Sequence, residues 1–260
     1  MKRVLTALLL IPAVVFVNFR APRLLVWILL AAVSLLALRE FFTLAERLGF
    51  HPYRIAGYGA GALLVLSRGL PEGALIVLFS LLLLALALQR AKPLESAFGA
   101  AASTLLGVVY VCGPFFLARE LHSLGPHWLF FVLLINWLGD SAAFYVGRSF
   151  GRHKLARRVS PQKTWEGTIA SLCISAPAGA AYLFYFQPGP PSLPVSLLLA
   201  ATINAAAQLG DLSESALKRG AQIKDSGQLL PGHGGMLDRI DGMLFSVPAC
   251  YFLVAWIIST

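Results

Sequence analysis

Apolar residues in this chain neither alternate with polar ones nor stay on one helical stripe. They run on in long blocks, broken by short clusters of charge, proline or glycine. Nine such blocks lie near residues 4–19, 23–38, 55–67, 73–88, 97–118, 128–147, 168–186, 195–210 and 243–258. A helix needs about 20 mostly apolar residues to cross roughly 30 Å of hydrocarbon. Within lipid the backbone must satisfy its own hydrogen bonds, which a helix does unaided. The pattern predicts an all-α, polytopic transmembrane helical bundle of about nine spans. The third block is the shortest and carries Gly57, Gly59 and Gly61, small residues of the kind that let membrane helices approach closely. Pro12, Pro114 and Pro177 fall inside blocks, where neighbouring helices can re-satisfy the freed carbonyls.

Composition narrows the class further. Of 260 residues, 58% are hydrophobic and only 13% charged, about half the charge of a soluble domain. A disordered chain, a secreted disulfide scaffold and a soluble enzyme are excluded. Cys112, Cys173 and Cys250 each sit inside an apolar block, without a second Cys or a His at ligand spacing. They read as small core residues. The basic start and first block could pass for a signal peptide, but residues 17–22 (Val-Asn-Phe-Arg-Ala-Pro) make a poor cleavage site and a second block follows at once. The segment is kept as the first span.

The bases orient this bundle. With nine spans, 17 of the 21 Lys and Arg fall on the side of the N-terminus, and Arg20, Arg23, Arg68 and Arg119 on the other. The positive-inside rule makes the crowded side cytoplasmic, with the C-terminus outside. Residues 1–125 then form N-terminal transmembrane helices without a motif. Residues 126–260 form C-terminal helices with two cytoplasmic polar loops, 148–167 and 211–242. Attraction to anionic headgroups would explain a purely basic loop. In these two, acids and glycines are interleaved with the bases.

Asp211 ends the eighth block and continues as helix, so positions 211, 215 and 218 share a face that joins Asp211, Ser215 and Lys218. Glu214 stands four residues before Lys218, the order of a surface ion pair. Asp238 and Asp241 share a face where the ninth helix begins, a place where the helix dipole favours carboxylates. Between them runs Pro231-Gly232-His233-Gly234-Gly235. Glycines at this density free backbone N–H groups to turn toward an anion. With Lys218, Arg219, Lys224 and Arg239 nearby, a phosphate cradle is the better reading than a plain turn. Acids beside such a cradle suggest Mg²⁺, typically held by one or two carboxylates plus substrate phosphates.

The other loop follows the same logic. Asp140 lies inside the sixth block, and an intramembrane carboxylate is by default a functional hypothesis. Arg148, Arg152, Lys154, Arg157, Arg158, Ser160, Lys163 and Thr164 follow it. Asn136 and Asn204 read as interhelical hydrogen-bonding residues. His51, His122, His127 and His153 read as polar residues at span ends.

The run Ser215-x-x-Lys218-Arg219, four residues, Lys224-Asp225, five residues, Pro231-x-His233-Gly234-Gly235-x-x-Asp238-Arg239-x-Asp241 resembles the signature of the phosphatidate cytidylyltransferase (CDP-diacylglycerol synthase) family. Upstream, Asp140-Ser141, Gly147-Arg148 and the octapeptide from Ser160 to Gly167 resemble it too, with Gln162 where the family more often has lysine. The first 125 residues match only as a set of apolar spans.

The resemblance implies transfer of a cytidylyl group from CTP to phosphatidate, giving CDP-diacylglycerol and pyrophosphate, with Mg²⁺ as cofactor. It implies a multi-pass inner-membrane protein that works as a homodimer in the lipid bilayer, with no nucleic-acid partner. It also implies that Asp211 and Asp238 are the principal metal-binding carboxylates, with Asp241 or Asp225 as further ligands. On this reading Lys218, Arg219 and Lys224 neutralise phosphate oxygens, and the backbone of 233–235 cradles the pyrophosphate. Lys163 and Arg148 meet the lipid phosphate, and Ser160, Thr164, Ser215 and Arg239 complete the substrate-binding set. Two alternatives stay open. One is a CTP-dependent kinase of a long-chain alcohol, which would release CDP. The other is a secondary transporter with Asp140, Asp211 and Asp238 as an ion relay.

Overall fold

The computed structural model describes residues 2–67, 72–90, 93–227 and 234–259. Of the residues singled out above, His233 with Pro231 and Gly232, and the bases Arg68 and Lys92, lie outside the described residues. Each apolar block is helical. Helices α1 (Lys2–Arg20), α2 (Arg23–Arg47), α3 (Arg54–Leu66) and α4 (Glu72–Arg90) come first. Next, α5 (Ser96–Gly107) runs through a π-helical turn at Val108–Cys112 into α6 (Gly113–Leu124). After them come α7 (Pro126–Phe150), α8 (Trp165–Phe186) and α9 (Leu193–Gly220), then the single turn α10 (Leu237–Ile240) and finally α11 (Met243–Ser259). Among the described residues, seven helical segments are long and apolar enough to cross a membrane. Helix α3, with 13 residues, is too short to be one of them. A Cβ on its Gly57 would collide with the Phe42 ring of α2 and one on Gly61 with the Cys112 sulfur, so these two glycines serve close packing, whereas Gly59 has open space beside it.

Two local features follow directly from residue chemistry. Pro114 has no N–H to give to the carbonyl one turn earlier, and the widened π turn sits just before it. Between α7 and α8, where a loop was expected, the chain pairs β1 (Lys154–Ala156) with β2 (Ser160–Thr164) as an antiparallel hairpin. Thr164 then caps α8, its hydroxyl accepting the Gly167 N–H at 3.2 Å.

Two apolar cores fill the bundle. One is built by α6, α7, α8, α9 and α11 around Phe131, Ile135, Leu183, Leu199 and Ile203. The other is built by α2, α3, the π turn and α6 around Leu38, Phe41, Phe42 and Val111. Leu237, Ile240 and Leu244, from α10 and the start of α11, are buried in this second core. The C-terminal motif is thus anchored in the N-terminal half. Large apolar side chains such as Ile55, Leu88, Phe98 and Tyr185 stay on the outside, as suits a bundle whose solvent is hydrocarbon.

The interhelical role of the asparagines holds. Asn136 donates to the Ser246 hydroxyl at 3.0 Å, and Asn204 donates to Ser171 at 2.9 Å while accepting from Gln208 at 2.7 Å. Two readings need correction. Cys173 is exposed, because it falls on the outward face of α8, while Cys112 and Cys250 are buried. His122 is a buried core residue with Nε2 3.0 Å from the Asn18 carbonyl oxygen, because the end of α6 packs on the end of α1.

Candidate active site

The two polar loops, far apart in sequence, form one surface. Helix α9 carries on past Asp211 to Gly220, and the Ser215 hydroxyl donates to the Asp211 carboxylate at 3.3 Å, as the shared face predicts. Lys163 on β2 pairs with Asp211 at 2.5 Å, and Arg219 donates to the Val159 carbonyl at 3.3 Å. The hairpin therefore lies along the polar end of α9. Ser160 opens β2 close by, and Arg148 is exposed at the end of α7.

Close backbone contact brings the acids together. A Cβ at Gly210 would run into the carbonyl of Asp241, so only glycine lets α9 approach the α10–α11 junction there. Asp211 and Asp241 become neighbours in space, and Asp140 of α7 lies within electrostatic reach of both. The Asp241 carboxylate accepts the Gly242 N–H at 2.6 Å, and Asp140 is exposed. Among the described residues, no three His, Cys, Asp or Glu side chains are grouped tightly enough to enclose a metal ion. Mg²⁺ does not need such a cage, because it keeps waters and substrate phosphates as ligands. Hard carboxylate oxygens from Asp211, with Asp140 and Asp241 in reach, fit that ion.

Asp238 has different surroundings. Its Oδ1 accepts from Lys218 at 2.6 Å, and its Oδ2 accepts the N–H groups of Ser226 at 2.9 Å and Gly235 at 2.8 Å. Lys218 also pairs with Glu214 at 2.5 Å. That pairing agrees with the i, i+4 spacing, but Glu214 is fully buried, with a side-chain exposure of 0%. It is not a surface bridge, because this face of α9 turns inward toward Asp238. The charge of Lys218 is thus shared between two carboxylates of its own chain. The glycine pair also departs from a free anion cradle. Gly234 has φ +79°, which suits glycine, yet the Gly235 N–H is already bound by Asp238. Lys224, Asp225 and Arg239 are exposed around this centre. Thr164 is buried, and its hydroxyl serves as the helix cap.

Two residues from the N-terminal half reach the site, and motif reading passed over both. Glu40 of α2 is buried and accepts the Ser226 hydroxyl at 3.0 Å and the N–H groups of Met236 at 3.0 Å and Leu237 at 2.8 Å. Its sequence signal was available. Ala37, Leu38, Phe41 and Leu44 are buried around it, so the apolar helical pattern continues past the Arg39-Glu40 pair that bounds the second block. Tyr110, on the π turn, packs against Phe41 and Phe245, and its hydroxyl lies within electrostatic reach of Glu214 and Asp241. π turns inside helices are frequent at functional sites.

Comparison of the sequence with known proteins gives its family. The model of the cytidylyltransferase family matches residues 1–257. The phosphatidate cytidylyltransferase of Bacillus subtilis (strain 168) is 40% identical over 153 residues, covering 58% of this chain and 56% of that protein. The phosphatidate cytidylyltransferase of Staphylococcus aureus (strain COL) is 40% identical over 156 residues, 59% of each chain. That of Staphylococcus haemolyticus is 41% identical over 156 residues, again 59% of each. The chain thus spans a little under three fifths of the length of the relatives it matches.

Proposed function

The chain belongs to the cytidylyltransferase family, and from that premise we propose that it transfers the cytidylyl group of CTP to phosphatidate, releasing pyrophosphate and leaving CDP-diacylglycerol in the membrane. The observation that carries the proposal is the Lys163–Asp211 ion pair. It unites the two loops that carry the family-like motifs into one polar surface at the ends of apolar helices. Such a surface can meet a water-soluble nucleotide and a lipid headgroup together. We place it on the cytoplasmic face of the inner membrane, from the distribution of bases, and take the working unit to be a homodimer.

Both substrates are anions, and their reacting phosphates must approach to bonding distance. Positioning and charge neutralisation therefore supply most of the catalysis. A phosphate oxygen of phosphatidate forms a bond to the α-phosphorus of CTP, and the bond from that phosphorus to the bridging oxygen of pyrophosphate breaks. The attacking phosphate is largely ionised at neutral pH, with a second pKa of about 6, so the reaction requires no general base. Asp211, with Asp140 or Asp241, would hold Mg²⁺, which when bound neutralises charge on the nucleotide phosphates. Lys163 and Arg148 take the lipid phosphate, and Arg219, Lys224 and Arg239 line the approach of the triphosphate. Lys218 and Asp238 hold each other and tie the end of α9 to α10.

A product assay tests this reading on detergent-purified protein given CTP, phosphatidate and Mg²⁺, with lipid and small phosphate followed together. Pyrophosphate and CDP-diacylglycerol should appear in equal amounts and be lost with EDTA. CDP formed with an added prenol would replace the reading by the alcohol kinase. No CTP turnover with either lipid would sink it, and ion flux into vesicles would be measured next.

A further inference from the structure

We infer that Glu40 is the positioning residue for Asp238, clamping Ser226 and the 235–237 stretch from the N-terminal half of the chain. Glu40 and its partners are 186 to 197 residues apart in sequence. One carboxylate oxygen accepts from the Met236 N–H; the other accepts from both the Leu237 N–H and the Ser226 hydroxyl. Asp238 holds the same two stretches, through the N–H groups of Ser226 and Gly235. Ser226 and the 235–237 stretch are therefore each held by both carboxylates.

The fit around Glu40 is close. A Cβ at Gly227 would stand 2.5 Å from its Oε1, and one at Gly235 would overlap its Oε2 and the Ser226 hydroxyl. Glycine at these two positions is thus explained by the carboxylate rather than by a ligand. The donors also explain why the residue is an acid. Three donors converge on two oxygens, and an ionised carboxylate is acceptor-only, whereas an amide presents NH₂ at one of the two positions. Glutamine would match the shape of Glu40 but set a donor against a donor. Through Leu237 the clamp fixes Asp238 directly, and Asp241 one turn further along. Catalytic groups need support of this kind to stay within about 0.5 Å of a productive geometry.

The activity arm of the test rests on the proposed cytidylyl transfer; the exchange arm does not. Full-length wild type and the variants Glu40→Gln, Glu40→Asp and Ser226→Ala are compared in detergent by hydrogen–deuterium exchange and by steady-state kinetics. In Glu40→Gln, amide exchange in the 235–240 stretch should rise at least about tenfold at Met236 or Leu237, since glutamine keeps only one of the two acceptor oxygens to which their N–H groups donate. Its kcat should fall about 100-fold with the KM for CTP changed less than about threefold, the pattern of lost positioning without lost ground-state binding. Glu40→Asp, which keeps the charge, should recover to within about tenfold of wild type, and Ser226→Ala should change kcat by only about threefold.

Unchanged exchange over 235–240 in Glu40→Gln overturns the inference, whatever its kcat. So does a loss of activity that appears entirely in KM. If Glu40→Gln does not fold, Glu40→Asp and Ser226→Ala decide, and the inference falls if neither speeds exchange in that stretch. A wild type that shows protected 235–240 amides but no CTP turnover would remove the cytidylyl reading and leave the clamp standing.

Discussion

Two neighbourhoods of carboxylates lie side by side at the polar end of α9, and they are built differently. Around Asp238 and Glu40, the oxygens have donors from within the chain: Lys218, the Ser226 hydroxyl, and four backbone N–H groups. Around Asp140, Asp211 and Asp241, acids from α7, α9 and the α10–α11 junction crowd within electrostatic reach of one another, with Lys163 on Asp211. The first group is complete as folded. The second gathers like charge, which costs folding free energy that the proposed Mg²⁺ would offset. Adjacent acids of one motif can therefore serve opposite ends. On the proposed reading, one set builds the scaffold, while the other serves the reaction.

The sharpest break in that comparison comes from Asp211→Asn. Turnover should fall by about 10³ or more, a loss of about 4 kcal/mol of transition-state stabilisation, while the thermal midpoint stays within a degree or two. A fall in the midpoint equal to that of Asp238→Asn would erase the distinction between the two groups. Asp238→Asn should lower activity about 100-fold and stability as well. A hydrogen bond to a charged partner is worth about 1.5–3 kcal/mol, or roughly 5 °C in a chain of this size. Differential scanning fluorimetry in detergent, run beside the product assay, separates the two variants.

Lys163→Ala should act more mildly, raising the KM for one of the two substrates about tenfold. Its pair with Asp211 is partly exposed, with side-chain exposures of 24% and 34%. Its share of stability should be about 1 kcal/mol or less, and kinetics with each substrate varied in turn reads the effect. The smallest effect belongs outside both neighbourhoods. Asn204→Ala removes bonds to Ser171 and Gln208 in the membrane-embedded core, and should cost about 0.6 kcal/mol with turnover unchanged. A large loss of activity there would mean that this polar ladder belongs to the site.

The position of each apolar block, its helical state, and the continuation of α9 past Asp211 were all legible in the sequence. Block length against hydrocarbon thickness and the i, i+4, i+7 face need no tertiary information. The family was legible too, because many polar positions at fixed spacings leave little room for coincidence. Other features depended on packing. The hairpin at 154–164 is short and polar, so no periodicity announces it. Glu214 and Lys218 gave their pairing through spacing alone, but whether that face turned to solvent or to Asp238 depended on where α10 lay. The partition of the acids was likewise settled in space, since Gly210 lets the α10–α11 junction touch α9. Glu40 shows the limit most clearly. A carboxylate beside an arginine in an apolar helix reads as the end of a span until the fold brings three donors to it from nearly 200 residues away. Local pattern determines what each segment is, because helix formation and burial depend on near neighbours. Which carboxylates are satisfied and which stay open is decided only when distant segments meet, because hydrogen bonds and like-charge repulsion act across space rather than along the chain.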